Sequence, residues 1–230
     1  MWQALLVVAI LAVAGVALIA HFVPTWRRWG ATEEEANAHY PHDDIVPSTI
    51  AKAVRAITIH APAAEVWPWV AQIGRGAGFY SIDFLDNRGC RSADYVMDLP
   101  PPALGDQTVV GRLVSCQPGD HVAYHAPDSP FLGARWNFCM GHAIRPLDGN
   151  RTRLLQIVRI GHQGGSRVVI PFAVFCNDIM ETIMGIVQLR KLKRVIESYP
   201  ARLKSGDVHR VPGRHGHQSG DFSYAGEKAD

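Results

Sequence analysis

A chain of 230 residues with 23 basic and 21 acidic side chains carries a formal charge of only +2, so no global field selects nucleic acid or an acidic partner. Apolar types make up 47% of it, enough for one sizeable core in the roughly 200 residues that follow the N-terminal segment. Cys90, Cys116, Cys139 and Cys176 are widely spread, with no C-x-x-C pair and no metal-ligand spacing, and read as buried free thiols in a reducing compartment.

Trp2 to Val23 is an unbroken apolar run in which Gln3 and His21 are the only strongly polar side chains. As a helix it would span roughly 33 Å, matching a hydrocarbon core of about 30 Å. Trp26-Arg27-Arg28-Trp29 follows, and two arginines between two tryptophans suit an interfacial collar. Residues 1–24 are therefore expected to be a single-pass anchor in the cell membrane. Basic residues on the C-terminal flank place the remainder in the cytoplasm. A cleaved signal peptide is the competing reading. It fits worse, because no basic side chain precedes the run and Leu18 stands where a small residue should precede a cut after Ala20.

Residues 25–51 read as collar and polar linker with room for one short helix. Val54 to His60 is a strand by its β-branched content. Pro62 opens a helical stretch to Ile73, which Pro68 is expected to kink or split, and Gly74 ends it. Strand-like runs follow over Thr108 to Cys116, His121 to His125, Ala134 to Arg145 and Arg151 to Ile160, with Asp148-Gly149-Asn150 as a hairpin signal. Alternation in the third run places Trp136, Phe138, Met140, His142 and Ile144 on one face. That large apolar face needs a cover. Pro171 to Ser198 supplies it: Phe172, Phe175, Ile179, Ile183 and Val187 recur at helical spacing, Met180 and Met184 widen the stripe, and Pro200 is expected to stop the helix. The sum is an α+β domain over residues 52–199. Residues 200–230, rich in Gly, His and basic types, read as a disordered tail.

The run Ile57-Thr58-Ile59-His60-Ala61-Pro62-Ala63-Ala64-Glu65-Val66-Trp67 resembles the opening of the START-like, helix-grip (SRPBCC, polyketide cyclase-like) superfamily, where a strand leads into x-A-P-x-x-x-V-W. Gly78-Phe79-Tyr80-Ser81-Ile82-Asp83-Phe84-Leu85-Asp86-Asn87 is similar to a stretch in a bacterial subgroup of that superfamily, with Phe79 in place of its usual tryptophan. The resemblance implies a curved antiparallel sheet wrapped around a long C-terminal helix, with a cavity between them that takes sterols, lipids, polyketides or quinones in different members. It carries over no catalytic residue. The expected cavity lining is Trp136, Phe138, Met140, His142, Ile144, Phe175, Ile179, Ile183 and Tyr80.

Other motifs have plainer explanations. Gly74-Arg75-Gly76-Ala77-Gly78 follows a helix and opens none, so turn geometry suits it better than a phosphate loop. Asp83 and Asp86-Asn87 suit loop capping better than cation binding. His121 and His125 stand about 13 Å apart along a strand and cannot share a metal. No cofactor, metal or nucleic-acid partner is called for, and no protein partner is named by the sequence. The expected function is binding or carriage of a hydrophobic small molecule or lipid without chemistry. The alternatives are a cyclase- or dehydratase-like enzyme using His142, Tyr80 or Asp83 as acid or base, and a membrane-tethered interaction module.

Overall fold

The computed structural model describes residues 22–46 and 48–205, together with Trp2, Leu6, Val7 and Gly15. Most of the expected anchor, and the tail beyond residue 205, lie outside the described residues. Beyond helical residues 22–27, the described residues form, in order, α1 (Glu33–Asn37), β1 (Thr49–Ile59), α2 (Ala63–Ala71), α3 (Asp83–Asp86), β2 (Gln107–Thr108), β3 (Gly111–Gln117), β4 (His121–Phe131), β5 (Ala134–Asp148), β6 (Arg151–Gly164) and α4 (Val169–Ser205). The strands form one antiparallel sheet in the order β1-β6-β5-β4-β3-β2. The hairpin signal holds: Asp148 pairs with Arg151 across the two-residue turn Gly149-Asn150. The long helix lies on one face of this sheet, which is the α+β helix-grip architecture.

Beneath α4 the core gathers Ile59, Trp69, Ile144, Leu154, Leu189 and Leu192, all essentially sealed from solvent. Trp69 stands edge-on to Tyr80 and Tyr199, with ring centroids 6.2 and 5.1 Å apart. Pro68 does not split α2, which runs unbroken for nine residues; the proline costs one hydrogen bond near the helix end. Pro200 likewise lies inside α4, which continues to Ser205. There the Arg202 guanidinium reaches back to the Val195 carbonyl at 3.4 Å and to Asp94 at 2.9 Å, tying the last turns to the loop before β2.

The stretch expected to be a linker is packed on the other face of the sheet. Thr32 and Glu35 close a capping box that starts α1. Tyr40, His42 and Val46 are then buried against β5 and β6. Arg153 holds Glu35 through both carboxylate oxygens at 2.7 and 2.8 Å, and Arg159 holds Asp43 at 2.6 Å. His42 sits directly over Gly141, where any side chain would collide with the imidazole. Both sheet faces are thus covered. The thiols differ from expectation too: Cys139 is buried, but Cys90 and Cys176 are exposed.

The largest correction concerns α4. Its buried residues are Ile170, Ala173, Asp178, Thr182, Gly185, Gln188, Leu189, Leu192 and Ile196. The stripe expected to cover the sheet is turned outward instead, with Phe172 66%, Met180 47% and Ile183 47% exposed. Leu192→Ala is therefore expected to cost about 2–5 kcal/mol of stability. Phe172→Ala should stay within about 0.5 kcal/mol. Thermal or chemical unfolding of the detergent-purified chain checks both.

Candidate functional site

The polar residues on the inner side of α4 have partners in the sheet. Arg55, fully buried in β1, donates from Nη1 to Gln156 Oε1 at 3.2 Å and from Nη2 to Thr182 Oγ1 at 3.0 Å. Gln156 Nε2 donates to Gln188 Oε1 at 2.8 Å, and Gln188 Nε2 donates to the Phe79 carbonyl at 2.7 Å. That last bond fixes the Gln188 amide, so its Oε1 must accept from His142 Nε2 at 2.8 Å. His142 is then the neutral Nε2–H tautomer, and its Nδ1 has no protein partner. Its burial holds the imidazole near pKa 4, so the ring stays uncharged at neutral pH.

Beside this network lies a cavity of about 250 Å³. Phe79, Val109, Val110, Phe138, Met140 and Met184 form its apolar wall; Ser81, Asp86, Gln156, Glu181 and Gln188 form its polar side. Gly185 belongs to the wall because a Cβ there would strike Gln156 Oε1, so glycine lets α4 close on the network. Hydrogen-bond accounting shows what remains for a ligand. Gln188 Oε1 is saturated by two donors, while Gln188 and Gln156 each keep one amide hydrogen and Gln156 keeps one lone pair. The carboxyl groups complete the polar side. Burial raises the pKa of Asp86, whose neighbour Ser81 spends its own proton on the Met184 carbonyl at 3.1 Å. Burial also raises Glu181, the negative charge of Asp178 adds to the effect, and Arg55 opposes it.

Of the residues expected to line the cavity, Phe138 and Met140 do so. Ile144 and Tyr80 lie in the main core. The Tyr80 hydroxyl accepts from Gln72 Nε2 at 2.5 Å, and burial pushes its pKa upward. His142 reaches the cavity only through Gln188. Trp136 lies tilted against His162, ring centroids 5.6 Å apart, and donates to the Phe131 carbonyl at 2.9 Å. Phe175 and Ile179 are half-buried away from the lining, and Ile183 is exposed. Asp83 is a tie rather than an acid. Its oxygens accept from Ser92 Oγ at 2.6 Å and Lys191 Nζ at 2.6 Å, fastening the loop to α4. Burial works to raise its pKa, but those bonds prevail and hold it low. Gln156, Glu181, Gly185 and Gln188 are site residues that sequence reasoning misses. Their signal is polarity, or a glycine, inside an otherwise apolar strand or helix.

No protein-family model matches the sequence, and no curated protein matches it. Solved structures do. The chain is similar to the Zhui aromatase/cyclase from Streptomyces sp. R1128, at 14% identity and a TM-score of 0.42 over 68% of this chain and 97% of that one. It is similar to the di-domain aromatase/cyclase BexL of the BE-7585A biosynthetic pathway, at 15% and 0.44 over 66% of this chain and 48% of that one. A protein from Mesorhizobium loti is similar at 13% and 0.39, over 64% of this chain and 97% of that one. At such identities the likeness concerns the chain fold alone.

The buried imidazoles set an acid limit. His42 is also held near pKa 4, chiefly by burial, and neither of its nitrogens has a protein hydrogen-bond partner. A histidine depressed from its unfolded value near 6.5 contributes stability that is complete above pH 6.5 and lost as pH falls toward 4. Each of the two should withdraw on the order of 2 kcal/mol by pH 5. Unfolding midpoints of the detergent-purified chain between pH 8 and 5 are expected to fall accordingly, and His42→Phe should remove its share of the slope.

Proposed function

We propose that the protein is a membrane-anchored binder or carrier of a small hydrophobic molecule, held without chemical change between the sheet and α4. The observation that carries this is the cavity itself: an apolar wall from β5 and α4 closed by a side of amides and carboxyl groups. Its roughly 250 Å³ lies just below the about 300–1,000 Å³ of drug-sized ligand pockets, which sets a small ligand. A compact ring system or a single acyl chain suits that volume, and a whole two-chain phospholipid does not. The spare amide hydrogens of Gln156 and Gln188 fit a ligand whose apolar body ends in a carbonyl or hydroxyl oxygen. Residues 2–23 would keep such a molecule's receptor beside the bilayer in which it partitions, with the domain on the cytoplasmic side.

A second reading, acid–base chemistry on the same ligand, draws on Asp86 and Glu181. Both line the cavity, and both carboxyls are shifted toward the protonated form at higher pH, as a proton donor requires. His142, Tyr80 and Asp83 have no such position.

Mass spectrometry of an organic extract of the detergent-purified chain is expected to find a stoichiometric apolar compound. A panel of quinones and single-chain lipids should raise its melting temperature. Met140→Trp, which fills the wall, should weaken the best binder at least about tenfold, or about 1.4 kcal/mol. An empty extract with no stabilisation by the panel would overturn the binding reading. Conversion of the bound compound, abolished by Glu181→Gln with binding retained, would favour the enzyme instead. Anchorage is tested separately: the full chain should stay with membranes through high-salt and carbonate washing.

A further inference from the structure

The cavity leaves unexplained an apolar surface on the opposite side of α4. Phe172, Cys176, Met180 and Ile183 are all exposed and recur at intervals of four, four and three, a single stripe along the helix. Val168, just before the helix, is 81% exposed. The β4–β5 tip exposes Phe131 and Leu132, and it adjoins the start of α4: Ala134 pairs with Gly164, and Gly165 is wedged between Ala134 and Ile170. Large apolar groups gathered on adjoining elements differ from the scattered exposure of ordinary surfaces. By composition the most apolar part of α4 has a mean hydropathy of 1.5 with only 28% of it buried, although its inner contacts hold it on the sheet.

The route of the chain sets how far α4 can lie from the end of the apolar run. Arg27 is clamped to Asp178, with Nε donating to Oδ1 at 3.0 Å and Nη2 to Oδ2. Trp29 lies under the Arg190 guanidinium at 5.2 Å. Two of the four expected collar residues are therefore held by the domain. Residues 22–27 are helical, so the path from Val23 to Arg27 advances only about 6 Å. Fully extended it would reach about 14 Å. The headgroup layer on each side of a bilayer is itself roughly 5–8 Å deep. An anchor that ends at Val23 leaves no spacer able to hold the Asp178 region of α4 clear of that layer.

We propose that the outer stripe of α4, with Val168 and the Phe131–Leu132 tip, is a second membrane-contact surface lying in the interfacial layer of the anchoring bilayer. This rests on the anchor reading of residues 2–23 and is independent of what the cavity binds. The exposed cation Arg167 adjoins Val168 and suits anionic headgroups, as on an interfacial amphipathic helix. Met180 and Ile183 of the stripe alternate with Glu181 and Met184 of the cavity, so one turn of α4 would face both bilayer and ligand.

Cys176 is a native reporter in the middle of the stripe. The full chain carrying Cys90→Ser, labelled at Cys176 with a fluorophore, is reconstituted in phosphatidylcholine–phosphatidylglycerol vesicles. Doxyl-labelled lipid should quench it, and aqueous iodide should quench it several-fold less than the same label on Asn150→Cys in a Cys90→Ser/Cys176→Ser background. Asn150 lies in the β5–β6 turn at the other end of the sheet. Adding Phe172→Ser and Met180→Ser should raise iodide quenching at Cys176 while leaving the melting temperature in detergent unchanged. Iodide quenching at Cys176 equal to that at Asn150→Cys would overturn the proposal. Protection from iodide without quenching by doxyl lipid would also overturn it, since protein, whether a second copy or the chain's own anchor, would then cover the stripe. Carbonate release of the unlabelled chain would remove the anchor and this surface together; a carbonate-resistant chain with a water-exposed Cys176 removes this surface alone.

Discussion

Arg55 is a guanidinium with no exposure to solvent, carried by the strand that α4 covers, and its demands set the orientation of the helix. An uncompensated buried charge costs several kcal/mol. Arg55 escapes that cost through Gln156 and Thr182 as acceptors and through the nearby carboxyl groups of Asp178 and Glu181. Thr182, Asp178 and Gln188 must all face inward to serve this network. The helix has one face to give to the sheet, and the polar set takes the first half of it. Only from Leu189 onward does the inner face become continuously apolar.

That explains which parts of the structure are legible in the sequence. Strand alternation, the Asp148-Gly149-Asn150 turn and the pairing of a long final helix with an antiparallel sheet depend on local chemistry and periodicity, and all are present. Alternation along β5 places Phe138 and Met140 on the cavity side, since a strand has only two faces to choose from. The helical stripe Phe172-Phe175-Ile179-Ile183 is equally periodic, yet periodicity points it inward, because a helix judged on its own is expected to bury its most apolar side. The overriding term is Arg55, more than a hundred residues away in sequence, whose burial no local pattern reveals. Asp83 carries a local signal and is legible as a loop tie. Glu181 and Gln188 become site residues only once the helix orientation is known.

Tethering of the N-terminal strap follows the same logic. Residues 30–46 are polar enough to look like a linker, yet their polarity is spent on the sheet's back face: Glu35 on Arg153, Asp43 on Arg159 and Lys52. The two arginines stand on the outward side of β6, where unpaired guanidiniums would otherwise front the apolar patch of Val54, Leu155 and Ile157. Sequence order alone cannot show the two arginine pairings, because each joins residues 116 or 118 positions apart and is decided by strand register. The strap also fixes Gly30 against β1, where Arg153 reaches its carbonyl. It continues directly into Trp29 and Arg27, so the segment leaving the domain starts from a rigid point.

The orientation of α4 reflects an energetic balance between its two faces. Leaving Phe172, Met180 and Ile183 in water would forgo about 1.5–3 kcal/mol for each. Breaking the Arg55 network by turning the helix over would cost about 3–5 kcal/mol. Turning the helix over would also expose Leu189, Leu192 and Ile196, sealed on its inner face, at a similar cost for each, so the observed orientation is favoured in water as well. Against hydrocarbon or the headgroup boundary the first cost largely vanishes while the second stays, because the network is sealed inside the protein in either case. The proposed contact of the outer face with a bilayer would therefore add to an orientation that the inner face already fixes. The ion pair between Arg27 and Asp178 adds the N-terminal strap to the polar set that faces inward from the first half of the helix.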